Sequence, residues 1–123
     1  MATFNYVRIY AGPDGISHFE DIEVPLTPGS TMAASLLSEL VPVTGLNFRV
    51  NKPDYNLDFH PAPRRQFVVN LSGMVEIEAS DGEVRRFGPG SVMLADDTTG
   101  KGHISRAIGS EERQSLFVHL PAD

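Results

Sequence analysis

Two histidines, a glutamine and an aspartate in the second half of the chain could carry out acid–base chemistry: His60, Gln66, Asp96 and His103. Imidazole titrates near neutral pH, so each histidine can take up or release a proton under physiological conditions. The amide of Gln66 can orient a carbonyl group, and a nearby carboxylate such as Asp96 completes the parts needed for general acid–base catalysis. Brought together in one cavity, these residues would support proton abstraction next to a carbonyl, followed by reprotonation or elimination.

Each of these residues also has a purely structural interpretation. Gln66 could be an interior amide that only hydrogen-bonds its neighbours, since buried polar groups must find partners. His60 and His103 could bond only to backbone groups and stabilise the loops around the cavity. The run from Asp96 to Thr99 could cap backbone amides in an Asx or Ser/Thr turn. Both interpretations remain open from the sequence.

A second group of side chains is expected to bind the substrate: Phe48, Phe59, Arg64, Asn70 and Met93. The aromatic rings and Met93 would line a site for a small, partly apolar ligand, although they are equally plausible as core residues. Strand alternation directs one of Arg64 and Arg65 inward, where it could hold a carboxylate or another anion. It also places Val68 and Asn70 on the same inner face as Gln66, where a buried amide needs a partner.

The segments that carry these residues are typical of an all-β protein. Eleven glycines and nine prolines separate short runs of Val, Ile, Leu and Phe, which is the pattern of many short strands joined by turns. A chain of 123 residues is expected to form one domain. The predicted strands are Tyr6–Tyr10, His18–Val24, Leu46–Val50, Gln66–Leu71, Met74–Ala79, Glu83–Phe87, Ser91–Leu94, His103–Ala107 and Leu116–Leu120.

Two tight turns and one short helix complete the predicted elements. The sequence LSGM turns at Gly73, and SDGE carries the Asp-Gly pair that favours a two-residue hairpin, in which both central residues have positive φ. In STMAASLLSEL, Ser30 or Thr31 could cap one short amphipathic helix that covers an open end or edge of a sheet. Its apolar side would consist of Met32, Leu36, Leu37 and Leu40.

Composition excludes several classes of function. The net charge of −6 argues against nonspecific nucleic-acid binding, which depends on Lys and Arg. No apolar run reaches the roughly 18 residues of a membrane span, and MATFNYVRIYAG has no signal-peptide pattern, so a cytoplasmic location is expected. The absence of cysteine rules out disulfides and thiolate metal sites. A small organic molecule is the expected partner, with no nucleic acid and no membrane.

The segments FHPAPRRQFVVNLSG and GEVRRFGPGSVMLADDTTGKGH resemble the two sequence motifs of the cupin superfamily. The resemblance covers Leu46 to Leu120, after N-terminal strands within residues 1–28, and implies a double-stranded β-helix, or jelly-roll barrel. It places His60 and His103 at two of the family's histidine positions and Gln66 at its glutamate position. Gly73 stands at the hairpin turn, and Pro89-Gly90 begins a strand.

The resemblance also implies a metal site, but the ligands are altered. Ala62 stands where the family has a second histidine and supplies no donor atom, while Gln66 lacks the charge of glutamate. His60, Gln66 and His103 therefore form a neutral, ligand-poor set. Candidates for a missing ligand are Asp96, Asp97 and His18. We expect either no cofactor or a weakly held divalent metal such as Fe, Ni, Mn or Zn.

The function predicted from these residues is that of a small-molecule enzyme of the isomerase, lyase or cyclase kind, with or without a metal; a metal-dependent oxygenase is less favoured. The alternative is a non-catalytic ligand-binding or sensor protein, since cupins host many unrelated functions. Because proteins rarely leave long sheet edges unpaired, we also expect a two-fold homodimer. It would form through the N-terminal strands Tyr6–Tyr10 or His18–Val24.

Overall fold

The computed structural model describes residues 2–29 and 35–122, and every regular element in those residues is a β-strand. The strands are β1 (Thr3–Ala11), β2 (Ser17–Pro25), β3 (Thr27–Pro28), β4 (Leu36–Leu37), β5 (Gly45–Asn51), β6 (Asn56–His60), β7 (Gln66–Ser72), β8 (Met74–Ala79), β9 (Val84–Phe87), β10 (Val92–Asp96), β11 (His103–Ile108) and β12 (Arg113–His119). The all-β prediction is confirmed, and each predicted strand is present. The strands that were not predicted are β3, β4 and β6.

The strands form two large sheets and one short pair. The six-stranded sheet has the order β2-β1-β10-β7-β12-β5, the four-stranded sheet has the order β6-β11-β8-β9, and β3 pairs with β4. β1 and β10 run parallel, whereas the other paired strands are antiparallel. Among the described residues, the two large sheets stay separate and do not close into a single barrel.

The hydrophobic core lies between the two large sheets. It consists of buried side chains from both inner faces and from the β6–β7 connection: Ile9, Ala62, Val68, Val75, Ile77, Ala79, Phe87, Met93 and Ala95. The predicted parity of β7 is confirmed, because Gln66, Val68 and Asn70 are all buried on the inner side. The core therefore has polar side chains set among its apolar ones.

Strand β5 has the opposite orientation from the one that its apolar residues suggest. Leu46, Phe48 and Val50 are exposed, Phe48 by 85%, whereas Arg49 and Asn51 face inward. The prediction that Phe48 lines the site is therefore wrong. Strand alternation determines that Phe48 and Arg49 lie on opposite faces, but it does not determine which of them faces inward. In this strand the apolar residues lie on the outer face of the sheet.

The predicted helix is wrong for the part of its segment that the structure describes. Leu36 and Leu37 pair with Pro28 and Thr27 instead of continuing a helix, and Leu40 is exposed. The first half of that segment, including Ser30, Thr31 and Met32, lies outside the described residues. A helix this short is marginal unless an apolar face packs against the core. In the described ranges there is no helix that could span a membrane.

The β8–β9 hairpin differs in detail from the prediction. Ala79 N–H donates to Glu83 O, which leaves a three-residue loop in which Gly82 has a φ of 98°. No non-glycine residue in the described ranges has positive φ, so Asp81 does not adopt the two-residue geometry. Asp81 instead accepts a hydrogen bond from Glu83 N–H, as in a turn that ends in a glycine bulge.

Candidate functional site

A cavity of about 320 Å³ lies between the inner faces of the two large sheets. Its lining includes the predicted site residues His60, Gln66, Met93 and His103. The other lining residues are Arg49, Tyr55, Leu57, Pro61, Ala62, Pro63, Val68, Ile77, Ala95, Ser105, Arg113 and Phe117. Small-molecule pockets commonly enclose roughly 300 to 1,000 Å³ and combine an apolar wall with a few polar groups. This cavity therefore suits a small organic molecule.

A β-bulge in β6 turns His60 toward the cavity. His103 pairs with His60, and Ser105 pairs with Leu57. One residue lies between the two pairs in β11 and two lie between them in β6, so β6 contains one extra residue. Leu57 and His60 would face opposite sides of a regular strand, but the bulge lets both line the cavity. Phe59 is not in the lining, and its ring lies 4.4 Å from Lys101 Nζ. The structure therefore does not bring Phe59 to the site.

His103 begins β11 and is bonded to a buried carboxylate. Its Nδ1 lies 2.5 Å from Asp97 Oδ2, and Asp97 has no exposed surface. The backbone carbonyl of Asp97 accepts a hydrogen bond from Ala62 N–H at 2.9 Å, which ties the end of β10 to the β6–β7 connection. The other carboxylate oxygen, Asp97 Oδ1, is buried without a hydrogen-bond partner in the described residues.

The hydrogen bonds of the two histidines identify their free nitrogens. His60 Nδ1 lies 2.8 Å from Asp58 O, and a backbone carbonyl only accepts, so Nδ1 carries the proton. His103 Nδ1 donates to the Asp97 carboxylate by the same reasoning. In the neutral rings, Nε2 is then the proton-accepting nitrogen of both. The rings lie with centroids 4.7 Å apart, so two potential proton acceptors stand side by side.

Gln66 contributes an unsatisfied amide to the cavity wall. It is only 2% exposed, and its Oε1 has no hydrogen-bond partner within residues 2–29 and 35–122. A buried polar atom without a partner is unfavourable in the free protein. The amide is therefore positioned to bond to a molecule that enters the cavity.

Two arginines, Arg49 and Arg113, also line the cavity and were not predicted. Arg49 donates from Nη2 to Tyr55 Oη at 3.1 Å, and its guanidinium lies 4.4 Å from the centre of the Phe117 ring. Arg113 is 5% exposed and donates to Asn70 Oδ1 at 2.7 Å and to Asn51 Oδ1 at 3.2 Å. Burial, helped by the nearby charge of Arg49, lowers the pKa of Arg113 to about 10, so it remains protonated at neutral pH.

Asn70 holds Arg113 instead of lining the main cavity. Its Nδ2 donates to Gly73 O and Phe87 O, and its Oδ1 accepts from Arg113. The amide of Asn70 is therefore satisfied within the protein, and Asn70 does not line this cavity as a substrate-binding residue would. The hydrogen-bond partner expected for a buried Asn70 is thus provided by the guanidinium of Arg113.

Three other candidate residues lie away from the cavity. Asp96 forms ion pairs with Arg8 and Arg65 on the opposite side of β10, since neighbouring residues of a strand face opposite ways. Arg64 is exposed and contacts His119 at 3.2 Å. His18 bonds to Asp81 at 3.0 Å and therefore does not fill the position opposite Ala62. Of the two neighbouring aspartates, Asp97 is the one that contacts a residue of the cavity wall, through its bond to His103.

The residues of the cavity do not fit a divalent metal well. No group of three or more His, Asp or Glu side chains in the described ranges has the geometry of a metal centre. His60, Gln66 and His103 offer neutral donor atoms, and the carboxylate of Asp97 is bonded to His103 instead. The cationic Arg49 and Arg113 line the same cavity and would repel a dication.

One signal in the sequence could have revealed Arg49, one of the two missed arginines. Asn47, Arg49 and Asn51 alternate with apolar residues in β5. In β7, Gln66 and Asn70 lie on the inner face together with Val68, and the outer face carries the apolar residues Phe67, Val69 and Leu71. Reading β5 by analogy with β7 would have placed Arg49 in the cavity. No comparable signal separates Asp97 from Asp96.

No protein-family model and no curated protein matches this chain. Among solved structures, it is similar to a conserved protein of unknown function from Streptococcus pyogenes, with 28% sequence identity and a TM-score of 0.47. The match covers 68% of this chain and 72% of the other. The function therefore has to be inferred from the site itself.

Proposed function

We propose that the protein is a cupin-type small-molecule enzyme that carries out acid–base chemistry of the isomerase, lyase or cyclase kind. The proposal depends on one observation: His103, which is bonded to the buried carboxylate of Asp97, lies in the wall of a 320 Å³ cavity beside His60. A histidine held by a carboxylate is a standard proton acceptor for a bound substrate. The adjoining ring of His60 supplies a second proton-transfer group.

The order of the strands supports the cupin-type jelly roll. The six-stranded sheet contains the run β5-β12-β7-β10, and the four-stranded sheet is β6-β11-β8-β9. From β5 to β12 the chain changes sheet at every connection except that between β8 and β9. Eight strands wound between two sheets in this way are typical of jelly rolls, a class that includes cupins. β1 and β2 extend one sheet beyond that unit.

Asp97 positions His103 for proton abstraction. By accepting the Nδ1 proton, the carboxylate keeps Nε2 of the neutral ring unprotonated. When Nε2 takes a proton from the substrate, the negative charge of Asp97 stabilises the imidazolium that forms. His103 is therefore assigned as the general base, and Asp97 as its positioning residue.

His60 and Gln66 complete the proposed chemistry. His60 is held by Asp58 O through Nδ1, and it can return a proton to the substrate when its ring is protonated. The amide of Gln66 can bond to the carbonyl group whose neighbouring C–H is broken, which fixes the orientation of that bond. Proton removal at carbon and reprotonation elsewhere gives isomerisation, whereas loss of a leaving group gives elimination.

Solvent exchange tests the proposal without knowledge of the substrate. A panel of small carbonyl compounds is incubated with the protein in D₂O, and the hydrogen next to the carbonyl is followed by NMR. We expect catalysed exchange for members that bind, and a loss of about a hundredfold or more in His60→Ala. His18→Ala is the matched control, because His18 lies outside the cavity.

Two outcomes would each contradict a part of the proposal, the first the enzyme activity and the second the role of His60. If panel members bind in the cavity but exchange no faster than in buffer, the protein is a ligand-binding module. If His60→Ala exchanges at the parental rate, His60 has no part in proton transfer.

A further inference from the structure

Arg49 and Arg113 are arginines of the cavity wall that have no carboxylate partner in the part of the chain that the structure describes. The exposed Arg64, which contacts His119, is the other arginine of the described residues that lacks one. Arg8, Arg65, Arg85, Arg86 and Arg106 each form an ion pair with a carboxylate. Across the described residues, neither Arg49 nor Arg113 does so, and their protein partners are neutral oxygens. The cavity wall therefore contains two cations without an anion beside them.

The guanidinium donors of both arginines are only partly used. Arg113 uses Nε and Nη1, and its Nη2 has no hydrogen-bond partner in residues 2–29 and 35–122. Arg49 uses Nη2 and likewise leaves its Nη1 and Nε without one. The bonds that do form hold the two side chains in place, through Asn51 and Asn70 for Arg113 and through Tyr55 for Arg49. Fixed guanidinium groups with unused planar donors match the geometry of a carboxylate.

We infer that Arg49 and Arg113 bind the carboxylate of a small organic acid, which makes the ligand of this cavity an anion. The inference deepens the proposed function and rests on it only in taking this cavity as the ligand site. Two cations close together are costly when buried, and a bound anion relieves both their mutual repulsion and their loss of hydration.

Two further features narrow the class of acid. The rest of the lining is largely apolar, including Leu57, Val68, Ile77 and Phe117, so the body of the ligand is a short hydrocarbon or ring. Gln66 lies in the same wall, and its side-chain amide can bond to a polar group on the ligand, such as a hydroxyl. The structure thus indicates a compact organic acid with an apolar body and a hydroxyl or similar group.

Calorimetric titration tests the inference separately from catalysis. The probes are propanoate, 2-hydroxybutanoate and benzoate, each compared with its primary amide at pH 7, together with phenyl phosphate. We expect at least one acid to bind about tenfold or more tighter than its amide, because the amide lacks the charge that the arginines recognise. Arg49→Gln should weaken that binding by a similar factor. Arg64→Gln is the control and should leave the binding unchanged, because Arg64 is exposed and lies outside the cavity.

Arg113→Lys provides a second variant that keeps the positive charge. Lysine loses the planar donors, so acid binding should weaken while the protein stays folded by circular dichroism.

The inference is overturned if no acid binds tighter than its amide, if Arg49→Gln keeps full affinity, or if phenyl phosphate binds more tightly than benzoate. Proton exchange on neutral carbonyl compounds without acid binding would refute the anion site and leave the enzyme proposal standing. Acid binding without any proton exchange would refute the enzyme proposal and leave the anion site standing.

Discussion

Gln66 decides the charge of the cavity at the level of single residues. In the cupin pattern a glutamate stands at this position, and here a neutral amide lies in the cavity wall. Ala62, which replaces a histidine, is buried at 4% exposure and also lies in the wall. The resemblance therefore selects positions that do face the cavity, while the side chains present there favour an anion over a metal.

Replacing Gln66 by glutamate should convert the cavity into a better metal site. A carboxylate beside His60 and His103 would restore both a charged ligand and partial neutralisation of the arginines, so binding of Ni²⁺ or Zn²⁺ at pH 7 should strengthen by about tenfold or more. Calorimetric titration measures this, with Gln114→Glu as the control, since Gln114 is exposed and outside the cavity.

The parent protein is expected to hold metal weakly or below one equivalent. Unchanged metal affinity in Gln66→Glu would mean that this side chain cannot reach a metal between the histidines. A tightly bound equimolar transition metal that survives dialysis of the parent against chelator would contradict the metal-poor account altogether.

At the level of elements, the contact between the end of β6 and the start of β11 brings the two histidines together. His60 and His103 are paired across these strands, and Gly102 precedes His103 with a φ of 77°. A Cβ on Gly102 would meet the backbone carbonyl oxygen of His60 at 1.9 Å. Only glycine permits this close approach of the two backbones.

Gly102→Ala should therefore disrupt the site as well as the fold. We expect a loss of more than about 3 kcal/mol in the free energy of unfolding, since strain at positive φ adds to a backbone clash. Gly82→Ala is the matched control: its φ is also positive, but nothing lies within 4 Å of the added Cβ. It should lose only about 1–2 kcal/mol. Urea denaturation measures both, and equal losses would show that the β6–β11 approach is not constrained.

The same elements show why the sequence predicts the fold better than the site. Periodicity and turn residues predict the strands around Gln66 and Gly73 correctly, because these signals are local. The bulge that reorients His60 depends on pairing between distant strands. The inward orientation of Arg49 could be predicted only by analogy with β7, and not from the residues of β5 themselves. β6 itself was missed because NLDFHPAP is rich in Asn, Asp and Pro, which are depleted in strands. Local composition cannot reveal these arrangements.

At the level of the whole molecule, the position of each strand limits how two copies could associate. β1 lies between β2 and β10, so the predicted pairing of copies through Tyr6–Tyr10 is not available. β2 and β5 are the edges of the six-stranded sheet. The outer face of that sheet also exposes Leu46, Phe48 and Val50.

A two-fold dimer through β2 remains the expected assembly, because an edge strand presents unpaired backbone groups. Light scattering at micromolar concentration should give twice the mass of one chain. A mass of one chain under these conditions would remove the prediction of a dimer.

At the level of the whole molecule, we propose that the carboxylate–histidine pair held between the two sheets acts in proton transfer. Asp97 Oδ1 is buried and has no hydrogen-bond partner among the described residues, so the carboxylate is not arranged for maximal stability. If Asp97 serves His103, the isosteric Asp97→Asn should keep the fold and the ligand while losing the charge that stabilises the imidazolium. The neighbouring Asp96→Asn removes a carboxylate that pairs with Arg8 and Arg65 outside the cavity.

The decisive measurement is the rate of proton exchange in D₂O, at saturating ligand, for Asp97→Asn and Asp96→Asn beside the parent. The ligand is the acid or carbonyl compound, among those tested above, whose hydrogen the parent protein exchanges fastest. Its dissociation constant is measured for each protein. We predict a fall of about a hundredfold or more in Asp97→Asn with affinity retained within about threefold, and a parental rate in Asp96→Asn. A parental exchange rate in Asp97→Asn, or an equal loss in both variants, would contradict the assignment of His103 and Asp97 as the proton-transfer pair.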